Sequence, residues 1–343
     1  MIVKRDIIIL TESRENRNKK LSSFFLHGKR RGDKIFYIVA IGAAAYTLLM
    51  LALILYAVGS GSEKIFSFEG FKFFTSTDWN SVEGRESFGA LPYIIGTLIS
   101  SAVALAIGVP LSLGIAIFLS EMSSSKILSK ISGPLSFVIE LLAAVPSIIY
   151  GLWALFVFRF WILNFIEMPL YNAFGQYIPF FGVTPFGLDW FTAGIVLAIM
   201  IIPIVSSICR EVMKAVPESQ REAAYSLGAT RWETVRIAIF PYAKSGILGA
   251  ILMGLGRAIG ETMLVTLVIG NAIGASAIPT SLFSPSQTLS SLIANEFNEA
   301  SSDLHLSALI GLGAVLLMLT MAILIGARLL VARMVKVSPG ATE

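Results

Sequence analysis

Cysteine and histidine are scarce in this chain, and their scarcity excludes several kinds of site. The 343 residues include one cysteine, Cys209, and two histidines, His27 and His305. One cysteine cannot form an intrachain disulfide or a thiolate metal cluster. The two histidines are far apart in the sequence, and we expect them on opposite sides of a membrane. We therefore predict no metal site.

Charged residues are also few. Asp, Glu, Lys and Arg make up 14% of the sequence, whereas 55% of it is hydrophobic and the mean hydropathy is +0.79. This balance excludes an ordinary soluble domain and indicates a protein that crosses a lipid bilayer several times. The formal net charge is +4, but the basic residues lie mainly in particular loops, which is typical of charges that set membrane orientation. We expect no nucleic-acid partner.

The sequence lacks the motif that the commonest ATP sites require. It contains no G-x-x-x-x-G-K-S/T phosphate-binding loop, so we predict no ATPase site in this chain. No serine and histidine can be placed together at membrane depth, because His305 would lie at the outer edge, and this argues against an intramembrane hydrolase. We predict no catalytic residue and a chain that is not an enzyme.

Long apolar segments are what the sequence has in abundance. We predict an all-α integral membrane protein with six transmembrane helices and both termini in the cytoplasm. The predicted spans are Ile35–Val58, Leu91–Ser120, Pro134–Phe158, Phe191–Ile208, Ser245–Gly270 and Leu306–Leu330. The first is too long for a signal-peptide core and has no convincing cleavage site, so we interpret it as an uncleaved helix.

The charge distribution divides the chain into three parts. We predict a basic cytoplasmic leader at 1–34, a transmembrane domain at 35–333 and a cytoplasmic tail at 334–343. Three stretches with few or no basic residues are placed outside the cell: Gly59–Glu86, Phe160–Trp190 and Asn271–Leu304. The second of these contains three prolines and many aromatic residues, and we expect it to form short interfacial pieces over the outer mouth.

The longest polar interruption between the apolar segments, Glu211–Lys244, is predicted to fold as two short helices. Pro217 suits the first turn of a helix that Gly228 can end in the left-handed conformation. Thr230 and Glu233 have the spacing of a capping box at the start of the second helix. That helix places Trp232, Val235 and Ile239 on one side, and we expect Pro241 to stop it.

This stretch resembles the EAA loop of ABC-importer permeases, E-A-A-x3-G-x9-I-x-L-P, and is called the EAA loop below. The matching residues are Glu222, Ala223, Ala224, Gly228 and Pro241, while the Ile and Leu of the motif are replaced by Ala and Phe. In that family the loop docks on a separate ATP-hydrolysing subunit and transmits its closure to the membrane helices. The resemblance implies the same coupling role here, although an amphipathic loop lying on the bilayer surface is an alternative.

Two ionisable residues interrupt the predicted fifth span. An unpaired Arg257 near the bilayer centre would cost at least about 2.5 kcal/mol on insertion scales. Glu261 lies four residues further on, so we expect it to share the helix face of Arg257 and to neutralise it. A leucine at either position would have a lower free-energy cost of membrane insertion. The presence of Arg257 and Glu261 therefore favours a functional role in the substrate pathway over a purely structural ion pair.

Two further features belong to the same hypothesis. Gly256 and Gly260 form a G-x-x-x-G face, which indicates either close helix packing or space for an ion beside Arg257. Glu140 in the predicted third span could pair with Arg257, with another basic group or with nothing in this chain. We include Glu140 among the candidate pathway residues.

Three motifs together are similar to the phosphate-specific ABC permeases, over about residues 35 to 333. The motifs are the stretches around Phe88–Pro92, Glu140–Gly151 and Gly256–Thr262. The resemblance implies the type I ABC-importer permease fold in a prokaryotic cell membrane. It also implies a heterodimer with a second, similar permease, two copies of an ATP-binding subunit that holds ATP and Mg, and an external phosphate-binding protein. No cofactor is then expected in this chain.

Alternatives to phosphate import remain open from the sequence. The importer could carry another oxyanion, such as molybdate or sulfate. A self-sufficient channel is a further possibility, but it would have no use for the EAA loop.

Overall fold

The computed structural model describes residues 31–122 and 128–334. The described residues fall into two compact units that divide between Ala57 and Val58. The first unit is helical and belongs to helix α1, Arg31–Gly61. The predicted leader up to residue 30 and the predicted tail after Met334 lie outside the described residues.

The second unit is almost entirely helical. Its elements are α2 (Glu63–Glu69), α3 (Lys72–Thr75), β1 (Trp79–Asn80), β2 (Ser87–Phe88), α4 (Leu91–Ile117), α5 (Leu128–Ala144), α6 (Ser147–Trp153), α7 (Arg159–Ile162), α8 (Met168–Phe174), α9 (Trp190–Lys214), α10 (Glu218–Ser226), α11 (Arg231–Thr234), α12 (Phe240–Gly260), α13 (Met263–Val268), α14 (Leu289–Glu296) and α15 (Asp303–Met334). Short π-helical stretches extend or join several of them: Phe118–Met122, Ala154–Phe158, Leu163–Glu167 and Val235–Ile239. The two strands form an antiparallel hairpin in which Trp79 pairs with Phe88.

Within residues 31–122 and 128–334, six helical segments are long and apolar enough to cross a membrane, as predicted. They are Ile35–Glu69, Leu91–Met122, Ser147–Phe174, Trp190–Lys214, Arg231–Gly260 and Asp303–Leu329. The predicted second, fourth and sixth spans overlap these segments closely, and the first is somewhat longer than predicted. The predicted bounds of the third and fifth were wrong.

The main core forms around α9. Its most apolar stretch is 61% buried, against 28% or less for the other candidate spans. Small residues allow close contact with α4: an added Cβ at Gly194 would lie 2.6 Å from Val103, and one at Gly108 would lie 2.9 Å from Ile201. Helices in membranes commonly use such small residues to approach each other. Helix α9 is therefore the centre of this core, and α4 and α12 pack against it.

The third span begins later than predicted because Pro146 breaks the helix. Helix α5 ends at Ala144, and Pro146 has an extended backbone (φ −57°, ψ 139°) before α6 starts at Ser147. A proline disfavours the helical conformation of the residue before it. The helical run then continues to Phe174, so residues 160–174 are part of the span and not separate interfacial pieces.

The fifth span begins earlier and is interrupted sooner than predicted. Pro241 does not stop the helix that starts at Arg231, and the helical run continues to Gly260. The π-helical stretch before it explains why: the Phe240 N–H bonds to the Val235 carbonyl, and this wider turn leaves room where a proline ring would otherwise clash. The helix ends at Gly260, and α13 begins at Met263.

A second, smaller core lies at the end of the molecule opposite the EAA loop. Trp79 packs edge-on against Phe88 and Tyr93, with ring centroids 4.9 and 5.4 Å apart. His305 is buried there, its Nε2 2.9 Å from Glu296, and the Trp79 indole donates to the same carboxylate at 2.8 Å. These contacts fix α14 and the start of α15.

Candidate functional site

The EAA loop folds locally as predicted. Gly228 has a φ of 81°, in the left-handed region, and its N–H bonds to the Tyr225 carbonyl at 2.9 Å. The Ala229 N–H bonds to the Ala224 carbonyl at 3.2 Å, which completes the end of α10. The Thr230–Glu233 capping box is present, with the Thr230 N–H 2.7 Å from the Glu233 carboxylate.

The two faces of α10 have different surroundings. Glu222 and Ala223 of the EAA motif are exposed, and Leu227, just after the helix, is 87% exposed. Arg221 and Ala224 are buried. The predicted apolar side of the next helix is only partly correct, because Val235 and Ile239 are buried whereas Trp232 is 56% exposed. The loop thus keeps one face in contact with its own chain and leaves the other accessible.

An ion pair between Arg221 and Glu121 connects the inner face to the end of the second span. Glu121 lies in the π-helical stretch that extends α4, and it is 8% exposed. Arg221 Nη2 donates to Glu121 Oε1 at 3.0 Å, and Nε donates to Oε2 at 3.3 Å. This two-point contact is the strongest geometry that arginine and a carboxylate can adopt. It raises the pKa of Arg221 further above its already high ordinary value.

The same guanidinium also caps the end of the fourth span. Arg221 Nη2 donates to the Met213 carbonyl at 2.9 Å, and Nη1 donates to the Val216 carbonyl at 2.5 Å. These carbonyls lie at the end of α9, where a helix has no intrahelical donors left. One side chain therefore joins the EAA loop to two spans.

A cleft of about 580 Å³ opens beside this ion pair. Its lining is polar and consists of Ser120, Glu121, Lys214, Glu218, Arg221, Tyr225 and Arg231. Arg231 Nη1 also donates to the Glu121 backbone carbonyl at 3.4 Å. Neither Glu121 nor Arg221 was predicted from the sequence to have a role. An acid directly after a long apolar segment was the available signal, but the EAA loop contains five basic residues that could have matched it.

The second candidate site is the break in the fifth span. Arg257 lies in the last turn of α12, and Glu261 follows the helix with an extended backbone (φ −69°, ψ 130°). Because the helix has ended, the two residues do not share a helix face. Among the residues that the structure describes, neither forms an ion pair. The predicted pairing of Arg257 with Glu261 was wrong.

The unwound segment is held in place by α14. Ser290, in the first turn of α14, donates to the Glu261 carbonyl at 2.8 Å. The Leu289 N–H in turn donates to Thr97 of α4 at 3.1 Å. Glu261 Oε1 is 3.4 Å from the Leu264 N–H, a weak cap on α13. The break is thus a fixed feature of the packing.

The side chains at this break remain accessible within the chain. Arg257 is exposed and lies within electrostatic range of Tyr150 on α6, while Glu261 is half-buried. An added Cβ at Gly260 would meet nothing within 4 Å, and one at Gly256 would reach only Leu324 at 4.0 Å. The G-x-x-x-G face is therefore open within this chain, next to the guanidinium.

Glu140 lies away from this break. It is on α5, outside the six candidate spans, with Oε1 3.6 Å from Arg210 Nη1 of α9. Arg210 also donates to Ser136 on α5. Glu140 thus pairs with another basic group and not with Arg257, and its role in the pathway stays a prediction.

Two buried carboxyls at the end opposite the EAA loop were also missed. Glu167 accepts hydrogen bonds from Thr192 Oγ1 at 2.8 Å and from the Gly187 N–H at 3.1 Å. Asp189 caps α9 by accepting from the Thr192 N–H at 2.8 Å. Burial raises the pKa of Asp189 to about 8, and the neighbouring Glu167 adds to the rise. These groups tie the third span to the fourth.

Within the residues that the structure describes, the fold and its two sites define a class: a helical membrane protein with six candidate spans, a capped loop at one end and an interrupted fifth span. Residues 108–336 match the family described as the binding-protein-dependent transport system inner membrane component. The chain belongs to this family and is therefore a multi-pass protein of the cytoplasmic membrane and a component of a transport system.

Curated relatives agree with this assignment, and a solved structure shares the fold. The chain is 47% identical to the phosphate transport system permease protein PstC of Pasteurella multocida, over 85% of this chain and 89% of that protein. It is 45% identical to the protein of the same name from Haemophilus influenzae, over 85% and 90%. A solved bacterial ABC transporter involved in import of the acidic polysaccharide alginate shares the fold at 13% identity, with a TM-score of 0.51 over 88% of this chain and 100% of that chain.

Proposed function

We propose that this chain is the permease subunit of an ATP-driven importer of inorganic phosphate. The observation that carries the proposal is the exposed guanidinium of Arg257 at the break in the fifth span, in a chain so similar to proteins named as phosphate transport permeases. A guanidinium offers several N–H donors in a fixed fork that matches a tetrahedral oxyanion. Because Glu261 does not occupy it, this fork is available to a ligand in transit.

Glu261 supplies the complementary half of the site. A carboxylate accepts hydrogen bonds and cannot donate them while it is ionised. Phosphate near neutral pH retains at least one proton that it can donate, whereas sulfate has none. Glu261, at the same break in the span as Arg257, therefore favours phosphate and repels sulfate.

The EAA loop is the coupling element of this proposal. Its exposed residues Glu222, Ala223 and Gly228 meet an ATP-binding subunit in the cytoplasm, and buried Ala224 supports them from within. Pro241 is exposed and lies in the helical run that continues into the fifth span. ATP and Mg bind to that partner, and this chain requires no cofactor of its own. The complete importer contains a second, similar permease, two copies of the ATP-binding subunit and an external phosphate-binding protein.

Uptake by the reconstituted complex tests the proposal. Proteoliposomes containing all membrane subunits, supplied with the external binding protein and with ATP on the ATPase side, are expected to accumulate radiolabelled phosphate. Excess unlabelled phosphate should compete, and sulfate or molybdate should not. Preferential accumulation of sulfate or molybdate would assign the chain to another oxyanion, and an equal flux without ATP would indicate a channel.

A further inference from the structure

We propose that the Glu121–Arg221 ion pair joins the EAA loop to the ends of the second and fourth spans, so that displacement of the loop moves both spans. The inference deepens the proposed function and depends on it, since it assigns positioning residues to the coupling step. Glu121 and Arg221 are 8% and 9% exposed, and together they connect α4, α9 and α10.

The covalent structure shows which span the EAA loop does not reach through the backbone. The EAA loop is continuous in the chain with the fourth span before it and with the fifth span after it. Glu121, at the end of the second span, lies 100 residues from Arg221 in the sequence. A displacement of α10 therefore reaches the second span through non-covalent contacts, and the two-point contact to Glu121 is the most enclosed of the polar ones.

The position of Arg221 on α10 suits this role. Arg221 and Ala224 are three residues apart and face the spans, whereas Glu222 and Ala223 face outward. A partner pressing on the outward face displaces the helix without touching the ion pair. The force then passes through a side chain that is rigidly held by a carboxylate and two backbone carbonyls.

The environment of the pair makes it harder to separate than a surface contact. Arg221 is also 3.3 Å from Glu218, but the Glu218 side chain is 71% exposed and solvent screens that contact. Removing one partner of a buried pair leaves an uncompensated charge, which strongly disfavours the altered state. The two acids on the same arginine thus provide a matched comparison.

The test uses the complete complex purified with its ATP-binding subunits and reconstituted with the external binding protein. Glu121→Gln keeps the size of the side chain and removes its charge, and Glu218→Gln makes the same change at the exposed acid. Three quantities are measured for each: the amount of co-purified ATP-binding subunit, ATP hydrolysis with and without the phosphate-loaded binding protein, and phosphate uptake.

Glu121→Gln is expected to retain the ATP-binding subunit and unstimulated hydrolysis. Phosphate uptake, and the stimulation of ATP hydrolysis by the binding protein, should both fall at least about tenfold. A loss of this size corresponds to the coupling free energies that single substitutions usually change. Glu218→Gln should remain within about twofold of wild type, as expected for a screened surface contact. Arg221→Lys, which keeps the charge but loses the fork, should be intermediate.

Two results would overturn the inference. One is normal uptake and stimulation by the assembled Glu121→Gln complex. The other is a loss of uptake that merely follows a loss of co-purified ATP-binding subunit, which would make the pair a folding contact. If the wild-type complex fails to accumulate phosphate, the proposed function is wrong, whereas the stimulated hydrolysis still tests the ion pair separately.

Discussion

Two arginines of this chain have opposite surroundings. Arg221 is 9% exposed and donates to a carboxylate and to two backbone carbonyls. Arg257 is exposed and forms no ion pair with any residue that the structure describes. A guanidinium whose N–H donors bond within the chain can transmit movement, but few of its donors remain free to bind a ligand. An open one can bind an anion or a neighbouring subunit.

The glutamates near them differ in the same way. Glu121 is buried in a two-point contact, whereas Glu261 is half-buried and has only a weak contact with the Leu264 N–H. The same pair of residue types is thus enclosed and mutually paired at the EAA loop, and accessible and unpaired within the described residues at the break in the fifth span. Substitutions that affect one region and spare the other test this division.

The largest effect is expected at Gly228, in the EAA loop that we propose as the coupling element. Gly228→Val should abolish uptake and leave membrane insertion intact, because a φ of 81° strongly disfavours a β-branched residue. An added Cβ would meet nothing within 4 Å, so the effect comes from the backbone alone. Gly228→Asn is the control, since asparagine tolerates this conformation, and it should retain most of the uptake. Normal transport by the valine variant would contradict a coupling role.

The next largest effect is expected at the open site. Arg257→Lys keeps the charge and loses the fork, and Arg257→Gln loses both. We expect uptake to fall about tenfold for lysine and further for glutamine, as for the loss of hydrogen bonds to a charged group. Uptake and co-purified ATP-binding subunit are measured on the same preparation. Unchanged uptake in both variants, in assembled complexes, would leave Arg257 with a structural role.

A smaller effect is expected for selectivity at Glu261. Glu261→Gln keeps the shape and removes the charge, so the sulfate flux should rise relative to the phosphate flux by about threefold, the equivalent of one ordinary hydrogen bond. The external binding protein would hide this change by selecting phosphate first. The measurement therefore requires a flux that does not depend on the binding protein. A constant ratio with both fluxes measurable would argue against selectivity at this residue.

The smallest effect is expected at Asp189, which lies outside both regions and serves as a comparison for them. Its pKa is raised from 3.8 to about 8 by burial, so the folded chain keeps a proton that the unfolded chain releases. Stability should therefore fall as the pH rises through this window and level off above it. The thermal midpoint in detergent should be at least about 2 °C higher near pH 5 than near pH 8, and Asp189→Asn should reduce this difference. An identical slope in the variant would show that other groups cause it.

Local features of both regions could be predicted from the sequence. The six apolar segments, the left-handed Gly228 and the Thr230–Glu233 capping box depend on residues close together in the chain, and the structure confirms them. The Pro241 prediction was wrong because a π-helical turn accommodates the ring, and the chain before it gave no sign of that turn.

Long-range features were beyond such reasoning. The four-residue spacing of Arg257 and Glu261 predicts a shared helix face only if the helix continues, and a break held by Ser290 prevents it. The partner of Arg221 lies 100 residues away and had several competitors of suitable charge. Tertiary packing decided both outcomes, and no local pattern in the sequence encodes it.

The most direct test of the division between the two arginines is a parallel measurement of phosphate uptake and binding-protein-stimulated ATP hydrolysis in Arg257→Gln and Glu121→Gln complexes. The first variant should lose uptake and keep stimulated hydrolysis, because its conformational cycle is intact and only the anion site is altered. The second should lose both uptake and stimulation. If the two variants lose the same activities to the same extent, the open site and the fixed connection do not have separate roles.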